Sequence, residues 1–199
     1  DPLWSRGLGD VYKRQPIDGS NAPADITRFL EAYLASLRAE NDRRLKLASS
    51  GLAAAEIEQL RARYAAEDAG AQAFLLAEDD PQASDAERET RRAGRAAMLF
   101  IESYRELPQL AWPHALLESV LELEQAMLIW RQRHARMVER FIGRRIGTGG
   151  SSGVDYLDQT ARYRIFTELW TVRSLLLRKA AVPQIRSSAG YGFVMEGFA

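Results

Sequence analysis

Residues 113 to 142 read PHALLESVLELEQAMLIWRQRHARMVERFI, and this stretch decides the fold. Apolar side chains recur through it in alternating steps of four and three residues, and one histidine takes a place in the series. The members of this stripe are Leu116, Val120, Leu123, Met127, Trp130, His134, Met137 and Phe141. Such spacing puts them in one row along a single helix of about seven turns. We therefore expect a long central helix, with Pro113 in its first turn.

The same helical periodicity runs through most of the chain. Further helices are predicted from about Asp25 to Ala48, Ala53 to Leu76, Asp85 to Arg105 and Asp155 to Lys179. Asp25 and Asp155 are suitable N-cap residues for the first and last of these. No run alternates with a period of two over a useful length, so the sequence predicts no sheet. The expected fold class is all-α, a bundle of long antiparallel helices.

Composition excludes several classes of function. The chain has 199 residues, enough for one domain with a sizeable core. Basic and acidic residues number 27 each, so no overall field attracts nucleic acid or an anionic membrane. The absence of cysteine excludes disulfide scaffolds, thiolate zinc sites and iron–sulfur clusters. No apolar run approaches the roughly 18 residues of a membrane span. We expect a cytoplasmic protein with neither nucleic acid nor membrane as a partner.

The two ends of the chain differ from its helical body. Residues 1–15 lack helical periodicity and the regions of a signal peptide, and they are predicted to be a non-native leader. Residues 16–182 are the predicted helical domain, which we expect to be truncated at its N-terminal side. Residues 183–199 contain three glycines and scattered aromatic residues, and we expect a poorly ordered tail.

His134 is the only ionisable residue of the stripe, and two interpretations stay open. It is either a core histidine with a partner for each ring nitrogen, or the ligand of a metal. The other histidine, His114, lies twenty residues away, so a site with several histidines is not expected. One imidazole beside Trp130, Met127 and Met137 suits a haem with a single axial histidine. His114 is predicted to be a surface or capping residue.

A glycine-rich segment follows the central helix. Residues 143–153 read GRRIGTGGSSG, with five glycines in eleven residues. The segment is either a flexible connector or a loop whose N–H groups and hydroxyls bind a ligand. It matches neither a Walker loop nor a dinucleotide-binding motif. Thr148 is its most useful side chain, because a hydroxyl can both donate to and accept from a zwitterion.

Three segments together resemble the tryptophan 2,3-dioxygenase family. They are WRQRHARMVERFIG at 130–143, GTGGSSGVDYL at 147–157 and FTELW at 166–170. The resemblance is firm over residues 85–182 and loose over 25–84. It implies an all-helical homotetramer that holds haem b. It also implies opening of the indole ring of L-tryptophan with O2 to N-formylkynurenine, the first step of tryptophan degradation by the kynurenine route.

The resemblance also implies roles for individual residues. His134 falls at the proximal ligand of the haem iron, with Trp130 and Met137 beside the cofactor. Thr148 falls where a loop hydroxyl meets the amino-acid moiety of tryptophan. The backbone around it closes on the substrate through Gly147, Gly149, Gly150 and Ser151.

No position matches the family's distal histidine, the arginine that binds the substrate carboxylate, or the aromatic substrate wall. We therefore identify no catalytic residue, and we expect this polypeptide by itself to be inactive. Two alternatives remain open at this point. One is a related haem oxygenase that acts on another indole, and the other is a non-catalytic helical interaction protein.

Overall fold

A computed structural model describes residues 22–143, 145, 153–160 and 162–185, and all regular structure in these ranges is helical. The helices are α1 (Ala22–Ala48), α2 (Ala54–Leu75), α3 (Asp85–Ser103), α4 (Pro108–Ile142), α5 (Val154–Thr160) and α6 (Thr167–Ser174), followed by a 3₁₀ turn at Lys179–Ala181. The predicted all-α class is confirmed. No helix within these ranges has both the length and the apolar character needed to cross a membrane.

The first of two compact units contains the described residues 22–111 and 175–185. Its core is an aromatic cluster where α1 meets the end of α3. The ring centroid of Phe29 lies 5.2 Å from that of Tyr33, 5.2 Å from that of Phe100 and 5.5 Å from that of Tyr104. These separations suit tilted and edge-to-face aromatic packing. The cluster therefore fixes how α1 and α3 pack together.

Tyr33 also fastens the returning chain to this unit. Its hydroxyl donates to the carbonyl of Leu175 at 2.8 Å and accepts from the N–H of Leu177 at 2.9 Å. The Tyr33 side chain is fully buried, and this burial raises its pKa to about 12. The neutral hydroxyl therefore satisfies two backbone groups that have no helical partner.

Glu40 is a second polar anchor of the same unit, although the residue is only 3% exposed. The Arg43 guanidinium approaches one carboxylate oxygen at 2.6 Å, and Arg178 approaches the other at 3.0 Å. Hydrogen bonds from Arg43 lower the pKa of Glu40 most. Burial opposes them, Arg178 adds to them, and the pKa settles at about 2. The carboxylate therefore stays charged in the folded chain.

The predicted start of the central helix is wrong. Helix α4 begins at Pro108, five residues before Pro113. Proline suits the first position of a helix because the N–H that it lacks would have no partner there. Pro113 instead lies inside the helix, where its missing N–H removes one intrahelical hydrogen bond.

The second unit contains residues 112–174, and here the predicted helix from Asp155 to Lys179 is wrong. Helix α5 ends at Thr160, residues 162 to 166 are not helical, and α6 starts at Thr167. Asp155 is not an N-cap either, because α5 begins at Val154. Likewise, α1 begins at Ala22, so Asp25 lies within its first turn.

The predicted leader lies outside the described residues, as does the predicted tail beyond residue 185. The division into leader, helical domain and tail stays a prediction.

Candidate functional site

Helix α4 carries the predicted apolar stripe, and the structure leaves much of this stripe exposed. Leu123 is 55% exposed, Trp130 63%, Met137 50% and Phe141 79%. His134 lies among them and is half-buried. Isolated exposed apolar residues are ordinary, whereas a continuous apolar row on one helix face marks a surface that binds something.

The buried side of α4 is a neighbouring row of residues. It comprises Leu117, Leu121, Glu124, Leu128, Arg131, Ala135 and Val138, which repeat the same four-and-three spacing. Leu121 is 3% exposed, Glu124 1% and Ala135 0%. The helix therefore has two rows. The second is buried at Leu121, Glu124 and Ala135 and half-buried at its other members, even though it contains a carboxylate and a guanidinium.

Trp130 and His134 stack on each other along the exposed row. Their ring centroids lie 5.3 Å apart, and their planes differ by 8°. Side chains four residues apart on a helix lie above one another, so the helix itself brings the two rings together. Within the described residues no hydrogen bond reaches the nitrogens of the His134 imidazole. The imidazole plane lies nearly parallel to the indole of Trp130, which stacks on it.

Glu124 holds the segment before α6 against α4. One carboxylate oxygen accepts from the backbone N–H groups of Ile165 and Phe166, the latter at 2.8 Å, and the other accepts from the indole N–H of Trp170. Burial by itself raises the pKa of Glu124, but the hydrogen bonds from Phe166, Trp170 and Ile165 outweigh it. The pKa of Glu124 therefore lies below its ordinary value.

Two arginines of α4 also hold α5 against this helix, one through backbone carbonyls and the other through an ion pair. Arg131 donates to the carbonyl of Tyr163 at 3.0 Å and to that of Thr160 at 3.4 Å, which lies at the end of α5. Arg136 forms an ion pair with Asp158. Glu124, Arg131 and Arg136 together extend over about 18 Å of helix. They fix residues 154–160 and 162–170 beside the helix that presents His134.

Sequence reasoning did not single out Glu124 or Arg131. The sequence does contain a pattern that indicates these two residues. The second row has the same four-and-three spacing as the first, and its apolar residues are interrupted by charged ones. A charged residue within an apolar row is rarely buried unless it has a partner. The partners lie 29 to 46 residues away along the chain, so no local pattern identifies them.

His114 does not join His134. It lies inside α4 rather than at its start, with its side chain 21% exposed and its Nε2 3.5 Å from a carboxylate oxygen of Glu118. The prediction of a capping residue is therefore wrong. The structure brings Trp130, His134 and Met137 onto one face and keeps His114 apart from them along the helix.

The proposed substrate residues Gly147, Thr148, Gly149, Gly150 and Ser151 lie outside the described residues. Both glycines that flank this segment are described. Gly143 has a φ of 66° and donates its N–H to the carbonyl of Glu139 at 2.9 Å, and Gly153 has a φ of 60°. A left-handed glycine commonly ends a helix, and Gly143 ends α4 in this way.

Comparison with known proteins gives a consistent result. The sequence profile described as tryptophan 2,3-dioxygenase matches residues 14–176. A tryptophan 2,3-dioxygenase-like protein from Xanthomonas campestris is 95% identical over 100% of this chain, which covers 73% of that protein. Tryptophan 2,3-dioxygenase 2 of Ralstonia nicotianae is 72% identical over 92% of the chain and 50% of its own length. The protein named tryptophan 2,3-dioxygenase in Sorangium cellulosum is 63% identical over 98% of the chain and 48% of its own length. A match of this extent, on a chain that presents one histidine on an apolar helix face, places it in the tryptophan 2,3-dioxygenase family.

Proposed function

We propose that this chain forms the proximal, histidine-bearing part of a haem-dependent dioxygenase that opens the indole ring of L-tryptophan with O2 to N-formylkynurenine. The observation that carries the proposal is the half-buried imidazole of His134 on an exposed apolar face. Family membership supports the reaction class. A homotetrameric assembly and a cytoplasmic location stay predictions.

The residues present suit haem b. An axial imidazole needs a nitrogen free to ligate, and no described residue bonds the ring nitrogens of His134. The macrocycle also needs an apolar surface. Trp130, which is 63% exposed, and Met137, which is 50% exposed, offer such a surface. When bound, haem would supply the O2 chemistry that cleaves the indole C2–C3 bond. The chain's own contributions would be the imidazole of His134, which would hold the iron, and an apolar surface that would exclude water.

We assign binding of the amino-acid moiety of tryptophan to the glycine-rich segment. The Thr148 hydroxyl would bond this zwitterion, and the backbone of Gly147, Gly149, Gly150 and Ser151 would surround it. What supports this assignment is that Arg131 and Arg136 hold Asp158, Thr160 and Tyr163, which follow this segment, against α4.

Haem titration of the purified chain tests the proposal. We expect a ferrous spectrum typical of a five-coordinate haem with one histidine ligand. His134→Ala should abolish this spectrum, whereas His114→Ala on the same helix should leave it intact. Equal loss of the spectrum in both variants would show that the axial assignment is wrong. A chain that binds no haem would favour the non-catalytic alternative.

Turnover is a separate question. No residue of the chain matches the family's distal histidine or its carboxylate-binding arginine, which would form a charge-assisted pair with the substrate. We therefore expect the 199-residue polypeptide, loaded with haem and reduced, not to convert tryptophan. The measurement is the near-ultraviolet absorbance of N-formylkynurenine in an aerobic assay. Sustained product formation would show that these two groups have been misplaced.

A further inference from the structure

The imidazole of His134 is held by an unusual kind of neighbour. A histidine that binds a metal generally donates its second ring N–H to a carboxylate, a carbonyl or water, and this bond fixes the orientation of the ring. Among the described residues no such bond reaches His134. Its ring instead lies nearly parallel to the indole of Trp130, with the planes 8° apart and the centroids separated by 5.3 Å.

This stack restricts the rotation that matters most for ligation. Turning the imidazole about its Cβ–Cγ bond would move it out of the plane parallel to the indole and lose the stacking contact. The separation of the centroids lies within the range of favourable offset stacking. Trp130 is 63% exposed, so packing in a hydrophobic core does not explain the orientation of its side chain. The contact is built into one helix, because the two residues are one turn apart.

We propose that Trp130 is a positioning residue that fixes the plane of the His134 imidazole for axial ligation, and does not merely line the cofactor. The proposal rests on the proposed function in one respect, that His134 binds the haem iron. An indole that only contacted the haem would have no effect on the imidazole of the haem-free chain. A positioning indole acts on the imidazole before any cofactor is present, and any aromatic ring at residue 130 should preserve part of its effect.

The first test needs no cofactor. Proton NMR of the haem-free chain should show the ring protons of His134 shifted upfield by the ring current of the stacked indole, relative to a solvent-exposed histidine. Trp130→Leu should remove this shift, and Trp130→Phe should keep part of it. Trp112→Leu, the same change at an exposed tryptophan of α4, is the matched control and should leave the His134 signals in place. Unshifted His134 signals in the unaltered chain would overturn the proposal.

The second test measures the consequence for ligation. Losing one aromatic stacking contact should weaken haem binding by roughly two- to tenfold in Trp130→Leu. The iron–histidine stretching band of the ferrous form should also shift or broaden, because the ring is no longer held in one plane. Trp130→Phe should keep part of both properties, and Trp112→Leu should match the unaltered chain.

The outcomes separate the two ideas. Weaker haem binding in Trp130→Leu with an unchanged iron–histidine band would show that Trp130 only lines the cofactor, which overturns the positioning role. Equal losses in the Phe and Leu variants would overturn it as well. If His134→Ala keeps the ligation, the proposed function itself fails, and the haem-free NMR result still reports whether the stack exists.

Discussion

Replacing Glu124 should destabilise the second unit more than any other single carboxylate change on α4. The residue is 1% exposed, and its two oxygens serve three N–H donors, from Ile165, Phe166 and Trp170. Glu124→Ala leaves all three without an acceptor. These hydrogen bonds are part-buried, so each unsatisfied donor costs about 1 kcal/mol, the lower end of the range, and the sum is about 3 kcal/mol. Water that enters the vacated space keeps the loss near this value.

Glu124→Gln is the informative intermediate. Its amide oxygen still accepts from the two backbone donors, but its NH2 group then faces the indole N–H of Trp170. We expect a loss of about 1.5 to 3 kcal/mol, the value of one hydrogen bond to a charged group. Glu122→Ala, an exposed carboxylate two residues away, is the control and should lie within about 0.5 kcal/mol of the unaltered chain.

Urea unfolding and hydrogen exchange of residues 162–174 measure these effects. The direction in which the stabilisation by Glu124 changes with pH follows from the lowered pKa of this residue. Its contribution is fully present above the ordinary pKa of a glutamate, 4.5, and is lost as the pH falls from there through the lower folded value. The gap between the unaltered chain and Glu124→Gln should therefore close in acid. If Glu124→Ala is as stable as the Glu122→Ala control at neutral pH, the carboxylate does not hold this segment.

Two further predictions concern the first unit. Tyr33→Phe leaves the buried N–H of Leu177 without its acceptor and should lower the free energy of unfolding by about 1 to 3 kcal/mol, whereas Tyr64→Phe on α2 should have little effect. Glu40 has a folded pKa of about 2 against an ordinary value of 4.5. The difference in melting temperature between the unaltered chain and Glu40→Gln should therefore be full above about pH 4.5 and should shrink as the pH falls toward the folded pKa of about 2. A difference that is as large at pH 2 as at neutral pH would show that the charge of Glu40 is not responsible.

Sequence periodicity predicted the fold class and the long helix that carries His134, because both depend on local spacing. It failed where long-range contacts override local preference. Residues 155 to 179 look like one helix, yet Glu124 and Arg131 bond the backbone of residues 160 to 166 and interrupt it. The neighbouring row on α4, which contains Glu124 and Arg131, was not predicted, because charged residues interrupt its apolar spacing. The second row on α4 is the buried one, and only the contacts of its charged members reveal this.

The carboxylate of Glu124 performs a task that a helix generally performs for itself. In a capping box, the third residue of a helix returns its side chain to the N–H of the N-cap residue. Phe166 is the residue before α6, and its N–H is satisfied instead by a glutamate 42 residues earlier in the chain. A helix of eight residues is too short to persist alone in water. Helix α6 therefore cannot nucleate independently and must form as the chain folds back on α4, so its appearance reports a long-range folding event.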